Sequence, residues 1–184
     1  MSILDIRVLG DPVLRKETVK VESVTDEIRA LVRDMFETMY AAEGIGLAAP
    51  QVGRTERVTV MDVEGAKYAL INPEIVSRQG SARGEEGCLS IPEVFGEVDR
   101  ATSVVVRALD ENANEIEIEG KELLARCLQH EIDHLHGKLF VDYLSVLKRR
   151  AALAKWETFK ADYPGHIRKV ASEKRGAHHS EGEL

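Results

Sequence analysis

His130-Glu131-Ile132-Asp133-His134 is an H-E-x-x-H motif, and no other stretch constrains the chain as tightly. Two imidazoles four residues apart share a face on an α-helix, where that spacing is about one turn. They can then bind one metal ion. Glu131 projects about 100° further round the helix, beside such a metal and outside its ligand set. A carboxylate so placed suits a base acting on metal-bound water. The competing reading is a pair of solvated surface histidines. Against it, Leu123 and Cys127 fall on the same face as His130 and His134, so the histidines point where apolar residues point. His136 falls on the opposite side.

Two histidines do not complete a tetrahedral site. Hydrolytic centres take a third protein ligand and keep the fourth position open. Cys127 precedes His134 by about 10 Å of helix, too far for bonds of about 2.0–2.3 Å to one metal. The longer pattern H-E-x-x-H-x-x-G-x-x-H is matched as far as Gly137 but ends in Phe140, which cannot bind metal. Glu157 is conceivable, although Trp156 and Phe159 beside it suggest the polar side of an amphipathic helix. Cys88, within Glu85-Glu86-Gly87-Cys88-Leu89-Ser90, is the other candidate, and Gly87 lets the backbone come close to a metal or substrate. A small buried hydrophobe is the alternative role for Cys88.

With 184 residues, 43% hydrophobic and 31% charged, the chain has the makings of one domain with a real core. No apolar run is long enough to span a membrane. Met1–Arg7 carries an early acid and no apolar stretch, so no secretory signal is expected. The net charge of −7 argues against DNA as the main ligand. That charge is uneven: residues 145–184 hold nine Lys/Arg against five Asp/Glu, a net +4, and the remainder carries a net −11. Two cysteines, Cys88 and Cys127, cannot build a disulfide framework.

Ile28, Leu31, Val32, Met35, Phe36 and Met39 recur at helical spacing and predict a helix over 25–43, with Thr25 as N-cap and Gly44 as stop. Gly44–Gln51 is too glycine-broken to continue it. Strands are expected at 57–63, 68–71 and 74–77, followed by a hairpin of 98–109 with 115–119. Helices are expected at 121–135 and 145–163. The order predicts an α+β fold, with antiparallel or mixed sheets packed around a central H-E-x-x-H helix and helices at both ends of the chain. One catalytic domain, 1–168, would precede a flexible polar tail, 169–184. In the last helix Ala152, Trp156, Phe159 and Tyr163 form one stripe. Lys148, Arg149, Arg150, Lys155 and Lys160 lie around or opposite it.

Three segments, taken in order, carry a family likeness: Gly44-Ile45-Gly46-Leu47-Ala48-Ala49-Pro50-Gln51, Glu86-Gly87-Cys88-Leu89-Ser90 and Gln129-His130-Glu131-Ile132-Asp133-His134. They resemble the three signature motifs of peptide deformylase, with Asp11-Pro12-Val13-Leu14-Arg15 as a further similarity. The resemblance spans roughly residues 3–160 and is closest to the bacterial type 1 branch. It implies removal of the formyl group from N-formylmethionine at the start of nascent polypeptides, in the bacterial cytoplasm. It implies metal ligands at Cys88, His130 and His134, a catalytic carboxylate at Glu131, and oxyanion donors at the Gln51 amide and the Leu89 N–H. It also implies Fe²⁺ as the cellular metal, with Zn²⁺, Ni²⁺ or Co²⁺ able to substitute, and transient contact with the ribosome through the C-terminal helix. Gly44, Gly46 and Gly87 would expose backbone to an extended peptide that adds as a strand. Ile45, Leu123 and Cys127 would wall an apolar slot for the methionine side chain. Glu86 would pair with Arg100 and brace the cysteine loop.

Overall fold

The computed structural model describes residues 1–171. In chain order the elements are β1 (Ile6–Arg7), α1 (Asp26–Ala41), β2 (Gly46–Ala48), β3 (Val58–Val63), β4 (Ala66–Gln79), β5 (Ala82–Cys88), β6 (Ile91–Arg100), β7 (Ser103–Leu109), β8 (Glu115–Lys121), α2 (Glu122–Leu135), α3 (Val146–Phe159) and β9 (Ile167–Arg168). The strands form an antiparallel five-stranded sheet in the order β2-β3-β4-β7-β8 and two antiparallel pairs, β5-β6 and β1-β9. This is the α+β arrangement expected from the sequence.

Period-two alternation explains how the large sheet is covered. Val58 and Val60 of β3 join Ile28, Leu31, Val32, Met35 and Met39 of α1 in one core cluster. Met61 and Val63 face the other way and join Ala125, Cys127, Leu128 and Ile132 of α2. The sheet is thus held between two helices, and β3 is buried almost throughout. A third cluster joins Val94 and Val98 of β6 to Phe140, Leu144, Ala152 and Trp156. Helix α2 is the central one, with Gln129, His130, Glu131 and His134 buried beside its apolar residues.

Caps explain the helix limits. The Thr25 side chain accepts from the Ile28 N–H, and Asp26 and Glu27 occupy the first turn of α1, where the helix dipole favours negative charge. Ser145 caps α3 through the Lys148 N–H. Beyond Phe159 a 3-10 turn, Lys160–Asp162, replaces the α-helix expected as far as Tyr163. The stripe docks as its pattern implies: Ala152 and Trp156 are buried, and Phe159 and Tyr163 pack partly buried against the same cluster. In the segment expected as a tail, Lys169 pairs with Asp5 and Val170 packs on the core; residues 172–184 lie outside the described residues.

Three differences from the expected strands have local causes. The runs 68–71 and 74–77 are one strand, because a register shift between Ile71 and Glu74 accommodates Asn72 and Pro73, and a second between Ile75 and Ser77 absorbs Val76. Asn72 takes a left-handed φ of 53°, and its side-chain amide exchanges two hydrogen bonds with the Val21 backbone. The expected arm 98–109 is divided between two sheets. At the break the Arg100 side chain is drawn inward to Glu86 and Asp133, and the Gln129 amide bonds both backbone groups of Ala101. Strand β5 escapes a pattern search because Ala82-Arg83-Gly84-Glu85-Glu86-Gly87-Cys88 has no apolar alternation.

Candidate metal and catalytic site

Cys88 ends β5, and the tight Leu89-Ser90 turn returns the chain to Ile91 opposite it. This places the thiol over α2. Its Sγ lies 3.3 Å from His134 Nε2, which lies 3.2 Å from His130 Nε2. One donor atom from each residue falls within 4.8 Å of the others, and all three residues are buried. Tetrahedral bonds of about 2.0–2.3 Å separate neighbouring ligand atoms by roughly 3.3–3.6 Å. The donor set therefore fits a divalent metal of intermediate softness. The other candidates stand elsewhere. Glu157 is on the exposed side of α3, paired with Lys160. His136 is bonded to Glu17 at 2.6 Å. Phe140 stacks on the His130 ring, centroids 6.5 Å apart.

Behind the ligands lies a buried charged network. Glu86 accepts from His130 Nδ1 at 2.9 Å, which fixes the tautomer that turns the Nε2 lone pair toward Cys88 and His134. The same carboxylate accepts two bonds from Arg100, at 2.8 and 3.0 Å, and one from Arg126 at 3.0 Å. Arg100 reaches on to Asp133 at 2.6 Å and lies over the ring of Tyr143, whose hydroxyl donates to Asp133 at 2.7 Å. Burial alone would raise the Glu86 pKa. The hydrogen bonds from His130 and Arg100 outweigh it and hold the carboxyl well below the usual range. Deleting one partner of such a buried pair generally costs about 3–5 kcal/mol, because the other charge is left uncompensated. The Glu86–Arg100 pair follows from the sequence reading. Arg126, Asp133 and Tyr143 do not, since isolated charged and phenolic residues carry no pattern.

The pocket attracts positive charge. Burial disfavours a charged His130, but the Cys88 and Glu86 contacts push its pKa up to about 10. Burial, then the charge on His130, push His134 well below the ordinary histidine value. The Cys88 and Glu86 groups that favour positive charge on His130 would equally favour a metal cation between the three donors.

Glu131 is fully buried, and neither carboxylate oxygen has a hydrogen-bond partner among the described residues. Burial first, then the nearby charge of Glu86, push its carboxyl up to about 7, with His130 opposing. Gly46 makes room for it: a Cβ at Gly46 would lie 2.8 Å from Glu131 Cδ. Gly46, itself buried, therefore serves the carboxylate by lacking a side chain. The Gln51 amide is fixed at both ends. Its Oε1 accepts from the Ala48 N–H at 2.8 Å, and its Nε2 lies 3.2 Å from Ser90 Oγ and 3.6 Å from Cys88 Sγ. Leu89 is buried in the same turn.

The residues expected to bind substrate are gathered less tightly. β2 is an edge strand of the large sheet, so one side of Gly46–Ala48 has no strand partner. Gly87 lies one residue before Cys88, in β5. Ile45 and Cys127 meet through a 4.0 Å contact of Sγ with the Ile45 carbonyl. Leu123 lies further along the same helix face and is 42% exposed. The Gly44 N–H bonds the Met39 carbonyl at 2.9 Å and closes the end of α1. Ser90, Arg126, Asp133 and Tyr143 are the supporting residues to which the reading of the sequence gave no role.

The comparisons agree with this geometry. The family model for polypeptide deformylase matches residues 3–150. The peptide deformylase of Alkalilimnicola ehrlichii is 56% identical over 161 residues, covering 85% of this chain and 90% of that one. The crystal structure of a peptide deformylase from Legionella pneumophila superposes with a TM-score of 0.84 at 49% identity, over 87% of this chain and 96% of that one. A peptide deformylase from Synechococcus elongatus, solved in complex with actinonin, gives a TM-score of 0.80 at 45% identity, over 83% and 86% of the two chains. With the three motif segments folded around one Cys/His/His cluster, this chain belongs to the polypeptide deformylase family.

Proposed function

We propose that this protein hydrolyses the formyl group from the N-terminal formylmethionine of nascent polypeptides and releases formate. The observation that carries the reading is the buried Glu131 carboxylate, without a hydrogen-bond partner among the described residues, together with the convergent Cys88, His130 and His134 donors. A divalent metal held by those donors would supply Lewis acidity toward water and the formyl oxygen. Glu131 takes a proton from the attacking water and delivers it to the leaving amine. Gln51 Nε2 and the Leu89 N–H donate to the formyl oxygen as charge develops there. A single such donor is generally worth about 2.7–4 kcal/mol of barrier. The free edge of β2 and the Gly87 backbone hold the peptide as an added strand. Ile45, Cys127 and Leu123 receive the methionine side chain. The test is formate release from a formyl-Met tripeptide, with metal content measured on the same sample. Cleavage of internal peptide bonds without formate would instead identify an endopeptidase.

Two nitrogens and a thiolate suit both Fe²⁺ and Zn²⁺. We propose Fe²⁺ as the metal in the cell, with Zn²⁺, Ni²⁺ or Co²⁺ able to replace it. Metal-free protein reconstituted with Fe²⁺ is expected to turn over fast and to lose activity in air. The Zn²⁺ form is expected to be slower and stable. Equal rates with equal oxygen tolerance would contradict the assignment.

The proposed site of action is the ribosome, in the bacterial cytoplasm. No helix among the described residues is long and apolar enough to cross a membrane. The support for a ribosomal contact is the basic outer side of α3. Among the described residues, Lys148 and Arg149 make only long pairs, 3.4 Å to Glu97 and 3.5 Å to Asp142, and such pairs near the surface are weak. Val146 and Leu147 beside them are each 77% exposed. Reversing Lys148, Arg149 and Arg150 to Glu is expected to leave tripeptide hydrolysis intact and to weaken co-sedimentation with ribosomes at low salt. Binding to RNA phosphate should also fall steeply as salt rises. Unchanged co-sedimentation after the reversal would reduce α3 to a structural helix.

A further inference from the structure

The family match ends at residue 150, yet the chain beyond it returns to the catalytic turn. β9 pairs with β1, Ile6 opposite Arg168 and Arg7 opposite Ile167. The Val8 N–H donates to the His166 carbonyl at 3.0 Å. The His166 ring seats against Gly10, where an added Cβ would lie 2.6 Å from it. Lys169 pairs with Asp5 at 2.6 Å, and Val170 packs on the core. Two bonds from this ribbon reach the turn after Cys88. The Leu9 N–H donates to the Ser90 carbonyl at 2.8 Å, and Arg168 Nη1 donates to the Leu89 carbonyl at 3.1 Å. Consecutive carbonyls of the turn that carries the thiol and the Leu89 N–H are therefore held from outside, one by Leu9, two residues past β1, and one by Arg168 of β9.

We propose that β9 is a strap on the Cys88-Leu89-Ser90 turn, and that Arg168 is a positioning residue for the Cys88 thiolate and the Leu89 N–H. A guanidinium is suited to the task. It keeps its charge at any working pH, and a charge-assisted bond to a carbonyl is stronger than a neutral one. The Leu89 carbonyl and the Leu89 N–H belong to adjacent peptide planes that meet at the Leu89 Cα, so fixing the carbonyl leaves the plane of the N–H only the rotations about that one residue. An oxyanion donor is effective only when its direction is set beforehand.

This inference rests on the proposed hydrolysis for its kinetic readout and on metal retention for an independent one. Arg168→Ala in the full chain is expected to lower kcat for a formyl-Met tripeptide about tenfold with KM unchanged. It should also speed chelator-driven loss of Zn²⁺ about tenfold, the usual scale for residues that support metal ligands. Lys169→Ala, which breaks the Asp5 pair on the same segment without touching Leu89, should leave both quantities at the wild-type value. The strap is overturned if Arg168→Ala matches wild type in both. It is equally overturned if Lys169→Ala reproduces the losses, or if the lost activity only tracks the lost folded fraction in circular dichroism. Should the alanine variant not fold, Arg168→Lys is held to the same measurements and must show faster metal loss. A wild-type protein that releases no formate refutes the hydrolytic reading, and the rate of metal loss still decides the strap.

Discussion

Glu131→Gln is expected to keep its fold and its metal and to lose formyl hydrolysis by a factor of about 10²–10⁴, the usual contribution of a positioned acid–base group. Glutamine has the same shape but no carboxylate to accept the water's proton. Because neither Glu131 oxygen has a hydrogen-bond partner among the described residues, the substitution breaks no internal bond. Because the carboxylate lies outside the ligand cluster, metal content should match wild type. The loss should appear in kcat. Wild-type turnover at full metal occupancy would sink the role.

Stability of the metal-free protein should move the other way. Burial raises the Glu131 carboxyl to about 7 from its ordinary 4.5, so the folded state holds this proton more tightly than the unfolded chain. Ionisation then opposes folding, and wild-type stability falls relative to the glutamine variant as pH rises from 4.5 toward 7. Below that window the two should coincide. Chemical denaturation of both metal-free proteins at several pH values measures the difference directly.

Cys88→Ser is expected to abolish metal retention at practical concentrations, weakening binding by more than about 100-fold. That exceeds the 10–100-fold effect typical of the residues behind a ligand, because here a ligand itself is replaced. A neutral hydroxyl is a much poorer donor than a thiolate. It is also small enough for the buried site, and Gln51 Nε2 and His134 Nε2 stand ready as hydrogen-bond partners, so the fold should survive. Metal per protein after dialysis against a chelator, with circular dichroism on the same sample, makes the measurement. Unchanged metal would demand another third ligand. Glu157, the alternative weighed from the sequence, is already engaged with Lys160 on the surface of α3.

Much of the fold is legible wherever the governing interactions are short-range. Thr25 and the apolar period of α1 define a helix within one stretch of chain, and His130, Glu131 and His134 acquire their relative placement from one helical turn. The hairpin β7-β8 is visible because Ile116 and Ile118 alternate with glutamates. β5 is not visible, because its pairing with β6 relies on backbone bonds and a buried Glu86 in place of an apolar face. β1 and β9 escape for a related reason, since two-residue strands leave no period to detect.

From sequence alone come the helix that carries the histidines, the off-face carboxylate, and a family likeness that singles out Cys88, Gln51 and Leu89. Those are properties of local spacing and of short motifs, which can be read without knowledge of what lies nearby in space. Tertiary structure alone decided which groups meet. Cys88 reaches His134 across 46 residues, Gln51 reaches Cys88 across 37, and Arg168 reaches Leu89 across 79. It also decided that Arg126 and Asp133 join the expected Glu86–Arg100 pair in a buried network, although in sequence each looks like a solvated charge. The reason is energetic: a buried ion is tolerated only where opposite charges and hydrogen bonds converge on it, and that convergence comes from packing β5, β6 and α2 together.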